Sequence, residues 1–322
     1  MTRLFAWLCS TALLLFACAG HAQDYPAKPI RILVPFAPGG AVDTSARILG
    51  QKMTERLGWQ FVVDNRPGGN GFIATTAAAR SAPDGYTLLM AHTGEFAVNP
   101  AVFASVPYEL ERDFIPITMV SDAPMLYLAN RQAPFNTFQE LVAAAKAKPG
   151  AVSFSSAGNG SINHLAGEWL ALAAGIKLLH VPYKGGAPAA TAIAAGDVQL
   201  GVVSIPGATP HLKSGRAKVL GITTAKRSAL DSSWTTPREA GIPEVDASIW
   251  VGLFAPKGVS RPIVDRLNAE VRRTLDQPDV RARFADQGFE TVGMSATAFL
   301  ARIKNDAERY QAIVKAAGIK PE

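Results

Sequence analysis

The chemistry this sequence offers is concentrated in three glycine-rich segments, each lying after a short apolar run and before a helical pattern. They are residues 36–40 (Phe-Ala-Pro-Gly-Gly), 155–161 (Ser-Ser-Ala-Gly-Asn-Gly-Ser) and 183–186 (Tyr-Lys-Gly-Gly). Glycine lets a backbone come close to a ligand, and the free N–H groups at a helix start attract anions. One such loop is ordinary turn chemistry. Three of them, from two parts of the chain, point to a single cleft that takes up an anion. Catalytic chemistry finds no matching set. There is no Gly-x-Ser-x-Gly elbow and no Walker-type phosphate loop, and residues 158–163 lack the third glycine of a dinucleotide fingerprint. His92, His164, His180 and His211 include no pair at metal-ligand spacing, so neither a metal nor a cofactor is expected. Ser161 and His164 are three apart, which reads as a helix cap and a first-turn residue rather than a nucleophile and its base. Asp43 stands where its charge suits a helix dipole and reads as a capping group. Trp169 and Trp250 read as core rather than as a ligand platform.

The elements that must position these loops follow from periodicity. Residues 30–34 (Ile-Arg-Ile-Leu-Val) form a buried strand, and Val42, Ala46, Leu49, Met53 and Leu57 then recur at spacings of three and four on one helical face. Residues 61–63 and 86–90 are further strands, separated by a loop at 66–71 and a small-residue helix from about 72 to 79. This alternation argues for a parallel α/β sheet. The same grammar restarts at Met125, with strands at 125–129, 152–154, 178–181 and 198–203. Thr137 followed by Glu140 is a capping box, Ile162, Leu165, Trp169 and Leu172 mark one helix, and another ends at Gly196. The block can therefore hold its own sheet. After Thr224 the chain is loop-rich until a strand at 250–254. Two helices follow, capped by Ser260 and Ser295 and carrying Leu267 and Val271, then Phe299 and Ile303, on their apolar faces.

Composition bounds the answer. The chain has 322 residues, 48% hydrophobic and 18% charged, which excludes a disordered polymer and suits about two domains. Its 32 basic and 26 acidic residues are dispersed, so no nucleic-acid partner is expected. At the N-terminus Arg3 precedes an apolar run over residues 4–19 and then Gly20-His21-Ala22, the order of a secretory signal cleaved after Ala22. That run is short of the ~20 residues a membrane span needs. Leu15-Phe16-Ala17-Cys18 resembles a lipobox, but bulky Phe16 is atypical, so lipoprotein anchoring through Cys18 is the lesser alternative. Cys9 and Cys18 both leave with the signal, which removes disulfide, thiol and cysteine–zinc chemistry from the mature chain. No later stretch approaches 18 apolar residues, and a soluble periplasmic protein is expected.

Ordered segments along the chain carry a resemblance: Tyr25-Pro26 to Pro29-Ile30, residues 34–40 with Asp43 and Arg47, residues 65–70, residues 82–89 and residues 113–117. Residues 158–168, 181–185, 254–258 and 315–320 continue the series, which spans essentially the whole mature chain. Together they resemble the Bug-type periplasmic solute-binding receptors of the tripartite tricarboxylate transporter family. The resemblance implies a two-lobed, type II-like α/β binding protein: two open sheets with helices on both faces and a ligand cleft between the lobes. It implies a signal peptide over 1–22, a first lobe from residues 23–122 and 222–322, and a second lobe from 123–221, with chain crossings near 115–125 and 217–224. The implied ligand is a small carboxylate held largely by backbone amides and ordered waters, not by an arginine clamp. Carried over, the first lobe supplies Phe36, Ala37, Gly39, Gly40, Asp43, His92 and Thr93. The second supplies Ser156, Gly158, Asn159, Gly160, Ser161, Tyr183 and Lys184. The implied partners are membrane permease subunits, and the receptor is expected to be a monomer and not an enzyme. The alternatives are a ligand sensor for a membrane kinase and, further off, a periplasmic hydrolase. Some positions depart from the pattern. The order Gly196-Asp197-Val198 puts a ligand contact by Asp197 in doubt, and residues 204–206 are less polar than the family suggests. His92-Thr93-Gly94-Glu95 is an individual feature that tunes specificity, and Glu95 would oppose a second ligand carboxylate if it faced the cleft.

Overall fold

The computed structural model describes residues 25–243 and 245–319. The expected signal peptide, its Ala22 cleavage site and the Cys18 alternative lie outside the described residues, as does the end of the family match at Lys320.

Strands β1 (Ile30–Val34), β2 (Phe61–Asn65) and β3 (Thr87–His92) run parallel in the order β2-β1-β3. Ile30, Ile32 and Val34 enter one apolar cluster while Leu33 enters another, so β1 is buried on both faces, as a continuous apolar run requires. A late strand, β9 (Ser248–Pro256), pairs antiparallel with β3 and on its other side with β4 (Phe114–Asn130). β4 is 17 residues long. Its first part pairs with β9, and from Met125 it pairs with β7 (Leu200–Ser204) and β8 (Ala217–Ile222). β5 (Ser153–Ser156) and β6 (Leu179–Pro182) continue that second sheet, in the order β4-β7-β5-β6. The pair β10 (Glu290–Thr291) adds to the first sheet beside β4. The two open sheets of the two-lobed fold are therefore joined through β4. The first crossing is a continuous strand rather than a linker, with register shifts at Pro116/Thr118 and Met119/Ser121 that let it bend.

Helices cover both faces of both sheets. α1 (Ala41–Leu57) lies with α9 (Arg261–Leu275) and α10 (Pro278–Ala285) over the Ile30, Leu49, Leu267 and Phe284 cluster. On the opposite face are α2 (Phe72–Ala79), the π-helical turn Gly94–Val98 with α3 (Asn99–Val102), α4 (Leu110–Asp113) and α11 (Ala296–Ala316). That cluster runs on into the second lobe through Tyr127, Phe138, Phe154 and Leu165, where α5 (Phe138–Ala147) and α6 (Ile162–Ala174) pack. α7 (Gly186–Ala195) and α8 (Ile205–Lys213) close the remaining face around Leu126, Ile193 and Val203. Among the described residues, no helix is long and apolar enough to cross a membrane.

The caps show why these helices start where they do. Thr137, Ser161 and Ser295 each accept a backbone N–H three residues ahead. Glu140 completes its box one residue earlier than expected, accepting the Asn136 N–H at 2.6 Å. Ser260 begins α9 without a side-chain cap bond, because Pro262 removes one of the N–H groups such a hydroxyl would accept. Trp250 is fully buried, and its indole N–H donates to Asp306 at 3.0 Å. Trp169 packs edge-on against Tyr310. Both are structural, as their spacing suggests.

Candidate functional site

The carboxyl ends of β1, β2, β3, β5 and β6 turn toward one cavity of about 390 Å³, the position where open parallel sheets place ligands. One wall comes from the first lobe: Phe36 after β1, Asn70 after β2, His92 and Gly94 after β3, Val98, Asn99 and Phe103, and Ile249 in β9. The other is the loop from Ala157 into α6, together with Gly185 after β6. Among the described residues, no lysine, arginine, aspartate or glutamate lines it, and His92 is the one titratable side chain in the lining.

The second-lobe wall is a self-tied loop. The Ser161 hydroxyl donates to the Gly158 carbonyl at 2.7 Å and accepts the His164 N–H at 3.2 Å. The Gly160 N–H donates to His164 Nδ1 at 3.1 Å. Ser156 Oγ lies 2.7 Å from His180 Nε2 and donates to the Gly158 carbonyl at 3.0 Å. With only the His164 amide capped, the Ile162 and Asn163 N–H groups at the start of α6 have no acceptor among the described residues. Beneath the loop, the His164 and His180 rings stack with centroids 3.7 Å apart. Burial, then the adjacent His164, pushes His180 down to about 4, so it is neutral at pH 7. The loop thus presents backbone donors and no formal charge.

The first-lobe wall is built on a buried acid. His92 tilts over Phe36 with ring centroids 4.5 Å apart. Its Nδ1 lies 2.8 Å from Glu95 Oε2, which also accepts the His92 N–H at 2.8 Å. Burial pulls the His92 pKa down, but the Glu95 charge and hydrogen bond outweigh it, and the net shift is upward. Glu95 is fully buried and does not line the cavity, so it does not oppose a ligand carboxylate; it lies behind the imidazole instead. A Cβ at Gly94 would strike the His92 ring, and a Cβ at Gly71 would strike the Glu95 carboxylate, so two glycines make the room this pair occupies.

Of the positions expected at the cleft, the cavity gathers Phe36, His92, Gly158, Asn159, Gly160 and Ser161. The others stand behind or beside it. Ala37, Gly39 and Gly40 are exposed on the rim side of their loop. Asp43 is buried and accepts from the Gly39 N–H at 2.8 Å, Arg47 at 3.0 Å and Asn65 at 2.9 Å. Burial raises its pKa, but these hydrogen bonds, Arg47 first, bring the net shift below the ordinary value. Asp43 therefore shapes the loop rather than lining the cavity. The Thr93 hydroxyl joins β3 to β9, donating to the Ser248 carbonyl and accepting the Trp250 N–H, each at 3.0 Å. Ser156 is buried under the second-lobe loop. Tyr183 packs against the Leu126 cluster, Lys184 is exposed, and Asp197 is exposed away from the cavity. Asn70, Asn99, Asn163 and Ile249 line the cavity without having been singled out, and Gly185 lines it from the 183–186 loop that was. Asn70 sits in a strand-to-helix glycine loop of the same kind as the three that were, and that pattern was the available signal.

Two lobes joined through a shared strand, with a small cleft of backbone donors between them, are the architecture of a solute-binding receptor. The chain belongs to the tripartite tricarboxylate transporter family receptors, whose family model matches residues 45–319. It is 35% identical to Protein BugT of Bordetella pertussis over 326 residues, covering 99% of each chain. Among solved structures it is similar to R. palustris Rpa4515 with adipate, at 31% identity and a TM-score of 0.83, covering 93% of this chain and 100% of that one. It is likewise similar to MatC from Rhodopseudomonas palustris with bound malate, at 32% identity and a TM-score of 0.77, covering 90% and 100%.

Proposed function

We propose that this receptor captures a small carboxylate in the periplasm and delivers it to membrane permease subunits of a tripartite tricarboxylate transporter. The observation that carries the reading is the cavity wall at the start of α6, where unpartnered N–H groups meet a lining with no acidic side chain. A carboxylate there gains charge-assisted hydrogen bonds from amides and the helix dipole. Adipate and malate in the two similar structures belong to the same chemical class. The cavity lies at the small end of ligand sites, which span about 300–1,000 Å³. In this reading the chain is a monomer exported by cleavage after Ala22. Its first lobe is residues 23–122 and 222–322, its second is 123–221, and Phe36, His92 and residues 158–161 contact the ligand. Asp43, Thr93 and Ser156 hold that shell in place from behind.

The test is thermal denaturation of folded, ligand-free protein against a panel of mono- and dicarboxylates. At 100 times its dissociation constant a ligand stabilises the fold by about 2.7 kcal/mol, a rise of several degrees. A panel that produces no shift refutes the reading.

A further inference from the structure

We propose that His92 and Glu95 act as one net-neutral unit that presents a protonated His92 Nε2 to the ligand, so that the receptor selects a second hydrogen-bond acceptor, above all a second carboxylate, and rejects an ammonium at that end. The proposal rests on the carboxylate reading of the same cavity and names the element that sets its specificity.

The argument is a count of protons. A ring nitrogen and a carboxylate oxygen 2.8 Å apart need a proton between them, since two lone pairs at that distance repel. Glu95 is fully buried, and among the described residues its Oε1 has no partner and His92 is the only basic side chain the carboxylate meets. A lone charge in that position is strongly disfavoured. The pair therefore holds two protons, one shared with Nδ1 and one on Nε2. This holds whichever partner formally owns the shared proton. With the proton on Nδ1 the pair is imidazolium and carboxylate. With it on Glu95, the Nδ1 lone pair accepts the Glu95 O–H and is shared with the Gly94 N–H, 2.9 Å away. Either way Nε2 carries a hydrogen, and among the described residues it has no protein acceptor. The upward shift of His92 agrees with this state. The other titratable group against the pair, Tyr108, donates its hydroxyl to the Glu95 carbonyl and is held neutral by burial. Across the cavity the lining is backbone, asparagine and apolar side chains, so nothing there competes for the Nε2–H with a charge of its own.

The experiment is calorimetric titration at pH 7 with α,ω-dicarboxylates of four to six carbons. Each is paired with the ω-amino acid and the monocarboxylate that replace its second carboxylate by ammonium or methyl. Wild type should prefer the best dicarboxylate at least tenfold over its monocarboxylate, and bind the amino acid worst. His92→Gln and Glu95→Gln should each shrink the tenfold preference to about threefold or less, the dicarboxylate losing more affinity than the monocarboxylate. His92→Lys, which restores a donor, should recover part of it. Long-range ¹⁵N–¹H spectra of the wild-type imidazole should show a proton on Nε2, a signature no purely structural role requires. Equal affinity for dicarboxylate and monocarboxylate, a preference intact in His92→Gln, or an unprotonated Nε2 overturns the proposal while leaving carboxylate capture standing. Binding by none of the three series overturns both.

Discussion

Gly160 offers the sharpest test of how the cleft works. Its φ is +65°, and a Cβ built there would lie 3.2 Å from Val102 Cγ2 and 3.3 Å from Val102 Cβ. Gly160 belongs to the loop before α6 and Val102 ends α3, so this contact bridges the cleft between the lobes. A side chain at Gly160 has two separable effects. The left-handed backbone costs a non-glycine residue about 1–2 kcal/mol. That strain is present with or without ligand, so it lowers stability and drops out of the binding equilibrium. The crowding against Val102 lies beside the cavity that Gly160 lines, so it is expected to oppose the arrangement that holds a ligand. Overfilling a packed contact costs about 1–3 kcal/mol, and each 1.4 kcal/mol is a factor of ten. Gly160→Val is therefore expected to bind the best carboxylate about 5- to 150-fold more weakly. Adding Val102→Ala should restore most of that affinity while leaving the stability loss from the left-handed backbone in place. The assay is calorimetric titration of both variants, with the folded fraction checked by circular dichroism. A Gly160→Val protein that melts early yet binds as tightly as wild type would refute the reasoning, and the glycine would then serve the turn alone.

Two further outcomes follow from the buried groups. Trp250→Phe removes the indole donor from Asp306, which keeps only Arg302, and leaves space beside Phe299; a loss of about 2–4 kcal/mol in urea denaturation is expected, and an unchanged midpoint would contradict the role assigned to that bond. Because His180 is held down to about 4 while an unfolded histidine titrates near about 6.5, the unfolded chain binds the extra proton first; stability is full above pH ~6.5 and falls toward pH 4, by at most about 1.4 kcal/mol per pH unit for this one group. His180→Gln should flatten that decline in melts taken across the range, and an identical slope would rule His180 out as its source.

The periodic elements were legible. The strand over residues 30–34, the small-residue helix of residues 72–79 and the caps at Thr137, Ser161 and Ser295 fall where spacing puts them. The first half of β4 was not, because Pro116, Asp122 and Pro124 read as breakers. In the sheet the prolines are accommodated by register shifts and by the crossing between sheets, and Asp122 is half-buried, with desolvation pushing its pKa up to about 6. β8, six residues interrupted by Lys218 and Gly221, carries too short a pattern to separate from a loop. At the site, backbone-rich loops announced themselves through glycine. Side chains that line the cavity from helices, such as Asn99 and Asn163, look in sequence like any polar helical residue. Glu95 was noticed but its direction was not, since a π-helical turn re-aims side chains that ordinary helical spacing would place differently.

The placement of β9 has a consequence for how the chain is made. β4 ends at residue 130, whereas β9, which fills the slot between β3 and β4, begins only at residue 248. A chain emerging from the ribosome therefore carries four strands of its first lobe long before their central partner exists, while the whole second lobe is synthesised in the interval. Until then β3 and the first half of β4 present unpaired edges, the kind that invite pairing with other chains. Closing the slot brings together residues far apart in sequence, which is the slow class of folding event. The first sheet can therefore be completed only after residue 256 has been made, once the strands of the second sheet already exist.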